Sequence, residues 1–189
     1  MTLKRLLRTA VVLSAALYVG CGETGNPETG AVPVLKPVGQ VADFKVAAEP
    51  KAVPALVFKT AGDTEVKLGD FRGKTVLLNF WATWCAPCKV EMPSLDRLQA
   101  QLGGEKFAVV AISSDRAGKR AVDPWFDEQG IKLARYYDPK NAVGMALGVT
   151  GLPTSILLDA QGRELGRMLG DAEWDSPEAV ALVKQAMEE

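Results

Sequence analysis

Histidine is absent from this sequence of 189 residues, and only three cysteines occur in it. The absence of histidine excludes the Ser-His and Cys-His arrangements of hydrolases and most transition-metal sites. A net charge of -1, with no basic run interleaved with aromatic residues, argues against a nucleic-acid partner. Catalysis by this chain must therefore rest on cysteine.

The sequence also lacks a hydrophobic run long enough to be a permanent membrane anchor. The apolar stretch at residues 10–20 is well under the roughly 20 residues that cross a bilayer. Lys4, Arg5 and Arg8 precede it, which gives the positive and then apolar order of an export signal. Residues 1–20 are therefore predicted to direct export.

The first cysteine, Cys21, follows this signal directly. Tyr18-Val19-Gly20-Cys21 resembles a lipoprotein processing site, in which the cysteine becomes the lipid-bearing N-terminus. Leucine usually stands where Tyr18 is, so cleavage elsewhere or no cleavage remains open. The alternative for Cys21 is an unpaired thiol.

The remainder of the chain divides into a tether and one domain. Residues 21–50 are rich in Gly, Pro, Thr and Glu without a sustained period, which predicts a flexible tether. Within it, residues 41–47 could pack on the domain as an edge strand or a short helix. A single domain is expected over residues 51–189, because its length leaves no room for a second one.

The other two cysteines follow a short apolar run. Residues 75–81 are β-branched, aliphatic and aromatic, as expected for a strand buried on both faces. Cys85 and Cys88 then lie one helical turn apart, with Pro87 where a first-turn proline costs no hydrogen bond. Because a helix N-terminus favours a thiolate, Cys85 is the expected nucleophile. Cys88, one turn further in, is the expected resolving thiol that attacks the mixed disulfide.

The same spacing also occurs in zinc sites and in structural disulfides. A zinc site is disfavoured because the chain has no histidine and its other cysteine, Cys21, lies far upstream. A structural bridge is disfavoured because so short a loop constrains the unfolded chain little, and such bridges are typically labile and catalytic. The residues favour a redox-active disulfide between Cys85 and Cys88, with no metal and no other cofactor.

Several motifs together carry a family resemblance. They are Trp-Cys-Ala-Pro-Cys at 84–88, Pro93 and Gly-Leu-Pro-Thr at 151–154, with Leu-Asn-Phe-Trp-Ala-Thr-Trp-Cys at 78–85, Glu-Met-Pro-Ser-Leu-Asp at 91–96 and Ala-Glu-Trp-Asp-Ser-Pro at 172–177. The first three resemble thioredoxin-fold proteins. The last three narrow the resemblance to the TlpA-like thiol-disulfide oxidoreductases, over about residue 55 to the end. This resemblance implies a membrane-attached protein that faces the bacterial periplasm and acts mostly as a reductant.

The apolar segments and the resemblance predict an α/β, thioredoxin-like fold. A central mixed sheet is expected between flanking helices, with an N-terminal β-hairpin and a strand-helix insertion. The predicted elements are a hairpin at 55–60 and 64–68, a helix at 91–102 kinked by Pro93, strands at 107–112 and 133–137, helices at 122–129 (begun by Asp123 or Pro124) and 142–147, a return strand at 164–169, and a helix begun by Ser176 and Pro177.

The resemblance also assigns a role to the segment around Pro153. Thioredoxin-fold proteins hold this proline in cis beside the cysteines, which implies a cis bond between Leu152 and Pro153. A cis bond turns the backbone of Leu152 toward the site, where its N–H and C=O can pair with an extended substrate peptide. The alternative is a trans proline that opens an edge strand.

A proton acceptor for Cys88 is less directly indicated. Thioredoxins bury an aspartate where Asn79 stands, so their usual acceptor is missing here. Glu91, three residues after Cys88 on the same helix face, is the expected replacement, with a pKa raised by partial desolvation. The alternative is a solvated carboxylate without such a role. Trp84, Pro87, Asn79 and Glu91 are thus the expected supporting residues.

The residues between the cysteines bear on the direction of electron flow. Ala86-Pro87 carries no charge, whereas a histidine there would push the pair toward oxidising other proteins. The chain is therefore predicted to reduce disulfides on exported proteins and to be recharged by a membrane thiol reductant. The resemblance implies service in respiratory metalloprotein assembly, at cytochrome oxidase copper-site thiols or apocytochrome c haem-site thiols.

Two other functions remain open from the sequence. A thiol peroxidase would need an activating arginine and threonine around its cysteine, yet Thr83 precedes Cys85 by two residues rather than three. A non-catalytic module that presents a peptide groove would keep its function when Cys85 is mutated.

Overall fold

Eight strands and four α-helices are present in residues 33–188, which are the residues that the computed structural model describes. The strands are β1 (Lys45–Ala52), β2 (Val57–Thr60), β3 (Glu65–Lys67), β4 (Thr75–Trp81), β5 (Phe107–Ser113), β6 (Tyr136–Tyr137), β7 (Thr154–Leu158) and β8 (Arg163–Leu169). The helices are α1 (Ala86–Leu102), α2 (Lys119–Gln129), α3 (Ala142–Ala146) and α4 (Pro177–Met187). The predicted export signal and Cys21 lie outside the described residues.

All these strands belong to one mixed sheet, in the order β1-β8-β7-β4-β5-β6-β2-β3. β4, β5 and β6 run parallel to one another, and the other neighbouring pairs are antiparallel. Apolar clusters cover both faces of the sheet, one with α1, α2 and α4 and the other with α3 and the β2–β3 hairpin. This architecture confirms the predicted mixed sheet flanked by helices.

β4 is the central strand, and all seven of its residues are buried. Leu77 and Trp81 point into the cluster that contains α1. Leu78 and Phe80 point into the opposite cluster, as the alternation of side chains along a strand requires. Asn79 shares the face of Leu77 and Trp81, so its amide is directed toward α1.

Helix α1 follows β4 after a short turn and carries the second cysteine. Leu95 and Leu98 are fully buried against the sheet, each stabilising the fold by about 2 to 3 kcal/mol. The helix continues through Pro93 to Leu102 without interruption. The kink expected at Pro93 stays a prediction.

The β2–β3 hairpin lies at the edge of the sheet, where β2 pairs with β6. Phe58 is buried at its centre, with its ring 5.1 Å from Tyr136 and 6.4 Å from Phe71. These aromatic contacts attach the hairpin to the body of the domain.

The domain begins earlier than the predicted boundary at residue 51. β1 pairs antiparallel with β8 along the opposite edge of the sheet, so residues 45–50 belong to the domain and not to a tether. Most β1 side chains are exposed, and the strand contains Pro50. A strand without apolar alternation has the composition of a linker, which explains the misplaced boundary.

The segment before β1 also packs on the domain. A short 3-10 turn at Gly39–Val41 buries Val41, and Phe44 is buried just after it. The Lys36 N–H donates to Gln185 Oε1 at 2.9 Å, which joins this segment to α4. Residues 41–47 therefore contain the end of this turn and the first residues of the edge strand β1.

The bounds of several elements differ from the prediction, and α2 and β6 are the two discussed further. α2 begins at Lys119 rather than at residue 122, because Gly118 adopts a left-handed φ of 53° and turns the chain directly into the helix. Pro124 consequently lies inside α2 and does not begin it. β6 is limited to Tyr136–Tyr137 instead of residues 133–137.

Helix α4 agrees with its predicted start. The Ser176 hydroxyl accepts a hydrogen bond from the Ala179 N–H at 3.3 Å, and Pro177 is the first helical residue. Val180 and Val183 are buried against the sheet. Within residues 33–188, no helix combines the length and the apolar character needed to cross a membrane.

Candidate active site

Cys85 and Cys88 form a disulfide at the start of α1, with an S–S distance of 2.01 Å. Cys85 is the N-cap residue, and its Sγ accepts a hydrogen bond from the Cys88 N–H at 3.3 Å. Pro87 lies in the first turn, where no helical hydrogen bond is lost. Cys85 retains 6% exposure, whereas Cys88 has none. A reactant in solution can therefore reach the Cys85 side of the bridge and not the Cys88 side.

The turn between β4 and Cys85 is fixed by Asp115. This buried carboxylate follows β5 and accepts hydrogen bonds from the Thr83 N–H at 2.8 Å and the Thr83 hydroxyl at 2.7 Å. The Ser113 hydroxyl donates to it at 2.8 Å. Because these bonds hold the residue two positions before Cys85, they orient the start of the helix. The sequence contained no signal for this contact, since it joins residues 32 positions apart.

The bond between Leu152 and Pro153 is cis, as predicted. The Pro153 carbonyl accepts a hydrogen bond from the Gly170 N–H at 2.9 Å, and the Thr154 hydroxyl donates to the Gly151 carbonyl at 2.7 Å. Among the described residues, none is hydrogen-bonded to the backbone of Leu152. Its N–H and C=O are therefore available to another chain.

A groove of about 430 Å³ lies beside this backbone, and we call it the redox groove. It is lined by Trp84, Ser114, Asn141 and residues 149–152. Trp84 is 70% exposed, which is unusual for a large aromatic side chain next to a reactive pair. The groove thus joins the residue before Cys85 to the free backbone of Leu152.

Glu91 is buried on α1, one turn after Cys88, with only 2% exposure. Its Oε1 accepts a hydrogen bond from Asn79 Nδ2 at 2.7 Å. Its Oε2 accepts from the Trp174 indole N–H at 3.1 Å and from the Ala172 N–H at 3.3 Å. Burial raises the pKa of Glu91 from its ordinary 4.5 to about 7, although these donors favour the ionised form. Glu91 is therefore able to gain and lose a proton near neutral pH.

Asn79 places a neutral amide beside the Glu91 carboxylate. Its Nδ2 donates both to Glu91 and to the Ser155 hydroxyl, at 2.7 and 3.0 Å. Its Oδ1 is buried, and no described residue hydrogen-bonds to it. Asn79 thus contacts Glu91 directly.

A metal site is not formed by these residues. Over residues 33–188, no three Cys, Asp or Glu side chains converge closely enough to hold a metal ion. The predicted absence of a metal and of another cofactor stays a prediction, as do the roles assigned to the individual site residues.

A model of the Redoxin family matches residues 47–183, which is more than half of the chain. The chain belongs to the Redoxin family. This redoxin is 31% identical over 143 residues to thiol-disulfide oxidoreductase ResA of Bacillus thuringiensis (strain Al Hakam), covering 76% of this chain and 82% of ResA. It is 36% identical over 116 residues to thioredoxin-like protein YneN of Bacillus subtilis (strain 168), covering 60% of this chain and 67% of YneN.

The structure of this redoxin is also similar to that of a Chlorobium tepidum protein provisionally named thiol:disulfide interchange protein DsbE. The two have a TM-score of 0.67 and 28% sequence identity, covering 74% of this chain and 97% of the other. Together with the disulfide between Cys85 and Cys88, these likenesses show a TlpA-like thiol-disulfide oxidoreductase of the thioredoxin superfamily.

The loop at residues 172–177 also contacts Glu91. The sequence analysis identified this segment as a family motif and did not predict the contact. The Ser94 hydroxyl accepts from the Trp174 N–H at 3.0 Å and donates to the Ala172 carbonyl at 3.3 Å. Arg97 and Asp175 form a two-pronged ion pair, with their closest atoms 2.5 Å apart. The segment at 172–177 could have been found through its likeness to relatives, but its contact with Glu91 spans 83 positions.

Proposed function

We propose that this oxidoreductase is an exported, N-terminally attached reductant of protein disulfides, with Cys85 as nucleophile and Cys88 as resolving thiol. The difference in exposure between the two cysteines is the observation that carries the proposal. An accessible residue at the helix N-terminus suits the attacking thiolate, and a sealed residue suits the thiol that acts afterwards.

The reaction begins with both cysteines reduced. The Cys85 thiolate attacks one sulfur of the substrate disulfide, so that bond breaks and one substrate thiolate leaves. Cys88 loses its proton and attacks Cys85 Sγ, which releases the second substrate thiolate. The substrate gains two electrons, and the Cys85–Cys88 disulfide forms.

Glu91 is the proposed acceptor of the Cys88 proton. It lies one helical turn from Cys88 and is buried among neutral donors, with a pKa of about 7. A group that titrates near the working pH is best suited to proton transfer. Asn79 and Trp174 hold its two carboxylate oxygens in place.

The substrate peptide is proposed to occupy the redox groove. Its backbone would pair with the free N–H and C=O of Leu152, in the manner of an added strand. The exposed indole of Trp84 offers an apolar surface beside the substrate disulfide. Pairing through the backbone accepts many sequences, which suits an enzyme with protein substrates.

The reducing direction is supported by Ala86-Pro87, which places no positive charge between the cysteines. Residues 1–21 support export and lipid attachment through Cys21 on the periplasmic side of a membrane. In an oxidising compartment the enzyme would need a membrane thiol reductant to recharge it. The motif at 172–177 favours copper-site thiols of cytochrome oxidase over apocytochrome c thiols as the substrate in respiratory metalloprotein assembly.

Transfer to defined substrates tests this function. The reduced protein is mixed with a disulfide-bonded copper-site domain of cytochrome oxidase or with disulfide-bonded apocytochrome c, and free substrate thiols are counted. We expect one disulfide reduced per enzyme, none with Cys85→Ser, and a trapped mixed disulfide with Cys88→Ser. Full activity in Cys85→Ser, or no reduction of either substrate, would contradict the proposal.

Attachment has a separate test. Membrane fractionation of cells that express the chain should recover it with the membrane. A Cys21→Ser variant should appear in the soluble exported fraction if the cysteine is lipidated. Equal membrane recovery of both forms would exclude attachment through Cys21.

A further inference from the structure

A second depression adjoins the redox groove, and we call it the basic cleft. It encloses about 520 Å³ between the β2–β3 hairpin, the start of α2 and the loop after β6. Its floor is apolar and contains Phe58 and Tyr137, both nearly fully buried. A cleft of this size has room for a peptide segment with several side chains.

Positive charge predominates on the walls of the basic cleft. The cationic residues are Lys59, Arg116, Lys119, Arg120 and Lys140, and the acidic residues are Asp63, Glu65 and Asp138. Lys119 is paired with Asp63 at 3.2 Å, and the buried Asp138 accepts the Val143 N–H at 2.7 Å. In the described part of the chain, the other four cations have no ion-pair partner. The neutral Val143 N–H leaves the charge of Asp138 in place, so Asp138 and Glu65 together offset these four cations only in part.

The same cleft receives the positive end of a helix dipole. Helix α2 has 11 residues, and no side chain caps its N-terminus. Gly118, the N-cap residue, lines the cleft together with Lys119 and Arg120. The N–H groups of Gly118, Arg120 and Ala121 already donate to carbonyls, so the helix adds only the partial positive charge of its dipole to the attraction that the side chains exert on an anion.

Two segments of chain each contribute neighbouring residues to the redox groove and to the basic cleft. Ser114 lines the groove, and Arg116 lines the cleft two residues later. Asn141 lines the groove, and Lys140 immediately before it lines the cleft. A peptide held beside Trp84 can therefore extend into the cleft without leaving the surface.

We propose that the basic cleft binds an acidic segment of the protein substrate that flanks the disulfide under reduction. This inference rests on the proposed function, because it names a feature of the same substrate. The apolar floor and the volume of the cleft favour a peptide with carboxylate and aliphatic side chains over a small anion. Charge complementarity would raise the rate of productive encounter.

The experiment compares two disulfide-looped peptides that differ only in one flank, which is Glu- and Leu-rich in one and Gln- and Leu-rich in the other. The purified full chain should reduce the acidic peptide with about tenfold higher kcat/KM at low salt. Raising the salt from about 0.05 to 0.5 M should remove most of this preference. Fluorescence anisotropy with the oxidised protein measures binding of the same peptides independently of electron transfer.

Arg116→Glu with Arg120→Glu reverses two unpaired charges of the cleft outside the reacting residues. Lys106→Glu with Lys184→Glu is the matched control, because both exposed lysines lie near the start of β4 and β5, at the opposite end of the sheet. The cleft variant should lose the preference in rate and in binding and still reduce the glutamine-flanked peptide normally. The control variant should keep the preference.

The proposal is overturned if the wild type does not distinguish the two peptides. It is equally overturned if both double variants lose the preference to the same extent, because net charge alone would then explain it. Acidic-peptide binding without reduction of either peptide would refute the proposed function and support the cleft. Reduction of both peptides at equal rates would support the proposed function and refute the cleft as a site for an acidic segment.

Discussion

Two buried carboxylates at opposite ends of the domain receive the same number of hydrogen bonds from different kinds of donor. Asp159, in the turn between β7 and β8, accepts from the Gln161 N–H, the Arg163 N–H and the Arg163 guanidinium, at 2.6 to 3.0 Å. Glu91, behind the disulfide, accepts three hydrogen bonds from neutral groups at 2.7 to 3.3 Å. A cation balances the first carboxylate, and none of these three donors balances the second.

This difference explains why one acid serves structure and the other is suited to chemistry. The Arg163 guanidinium compensates the charge of Asp159 and closes the turn. Burial raises the pKa of Glu91 to about 7, because its hydrogen bonds come only from neutral groups and the nearby Asp171 carboxylate adds like charge. Three hydrogen bonds from neutral groups therefore do not suffice to hold the pKa of Glu91 at its ordinary value.

Asp159→Asn removes the carboxylate that serves structure, and it should have the largest effect on the free energy of unfolding. Losing the charge opposite Arg163 in a buried turn is expected to lower the free energy of unfolding by about 4 kcal/mol. Urea unfolding measures this loss. Disulfide reduction at a temperature where the variant is folded should stay at the wild-type rate, and a strong fall in that rate would show that the two regions are coupled.

The pH dependence of the free energy of unfolding should reveal the protonation of Glu91. Its pKa in the folded protein, about 7, lies above its ordinary 4.5, so the folded state binds the proton more tightly. The free energy of unfolding should therefore fall by about 3 kcal/mol as the pH rises from about 4.5 through 7. Unfolding curves of the wild type and Glu91→Gln isolate this contribution, because the variant lacks it. Parallel pH profiles for the two proteins would show that Glu91 does not titrate as described.

Glu91→Gln should also slow catalysis. The amide keeps the size of the side chain and cannot take the proton from Cys88, so turnover at pH 7 should fall roughly tenfold to a hundredfold. Raising the pH should partly restore the rate, because Cys88 then loses its proton to solvent. Wild-type turnover in this variant at pH 7 would assign Glu91 no part in proton transfer.

Trp174→Phe removes a single hydrogen bond to Glu91 and should have the smallest effect of these variants. It keeps a buried aromatic ring and removes one of the neutral donors that favour ionised Glu91, so the pKa of Glu91 should rise above 7. Activity that needs ionised Glu91 should then be lost at a higher pH, by up to about one pH unit. The acid limb of the pH–rate profile measures this shift, and an unmoved limb would show that the indole N–H only fills space.

Local sequence signals predicted the parts of the molecule that depend on neighbouring residues. The strand before Cys85 and the cap of α4 each follow from residues that are close together in sequence. The cis bond before Pro153 was implied by family resemblance, and the structure confirms it. The redox pair is therefore readable from the sequence alone.

The surroundings of the redox pair were not predictable in this way. Trp174 reaches Glu91 and Asp115 reaches Thr83 across long stretches of sequence, through contacts that exist only after the sheet has formed. The extent of β1 was not predicted for a different reason, because an exposed edge strand has no apolar period to detect. The contacts that adjust the chemistry of the site thus depend on the tertiary fold, whereas the motif that identifies the redox pair is local in sequence.

The reduction potential of the Cys85–Cys88 pair tests the central claim most directly. The purified protein is equilibrated in glutathione or dithiothreitol buffers, and the fluorescence of Trp81 and Trp84 follows the fraction reduced. A reductant should have a potential near that of thioredoxin, roughly -270 mV. A potential near about -120 mV would contradict the account, because the pair would then introduce disulfides rather than reduce them.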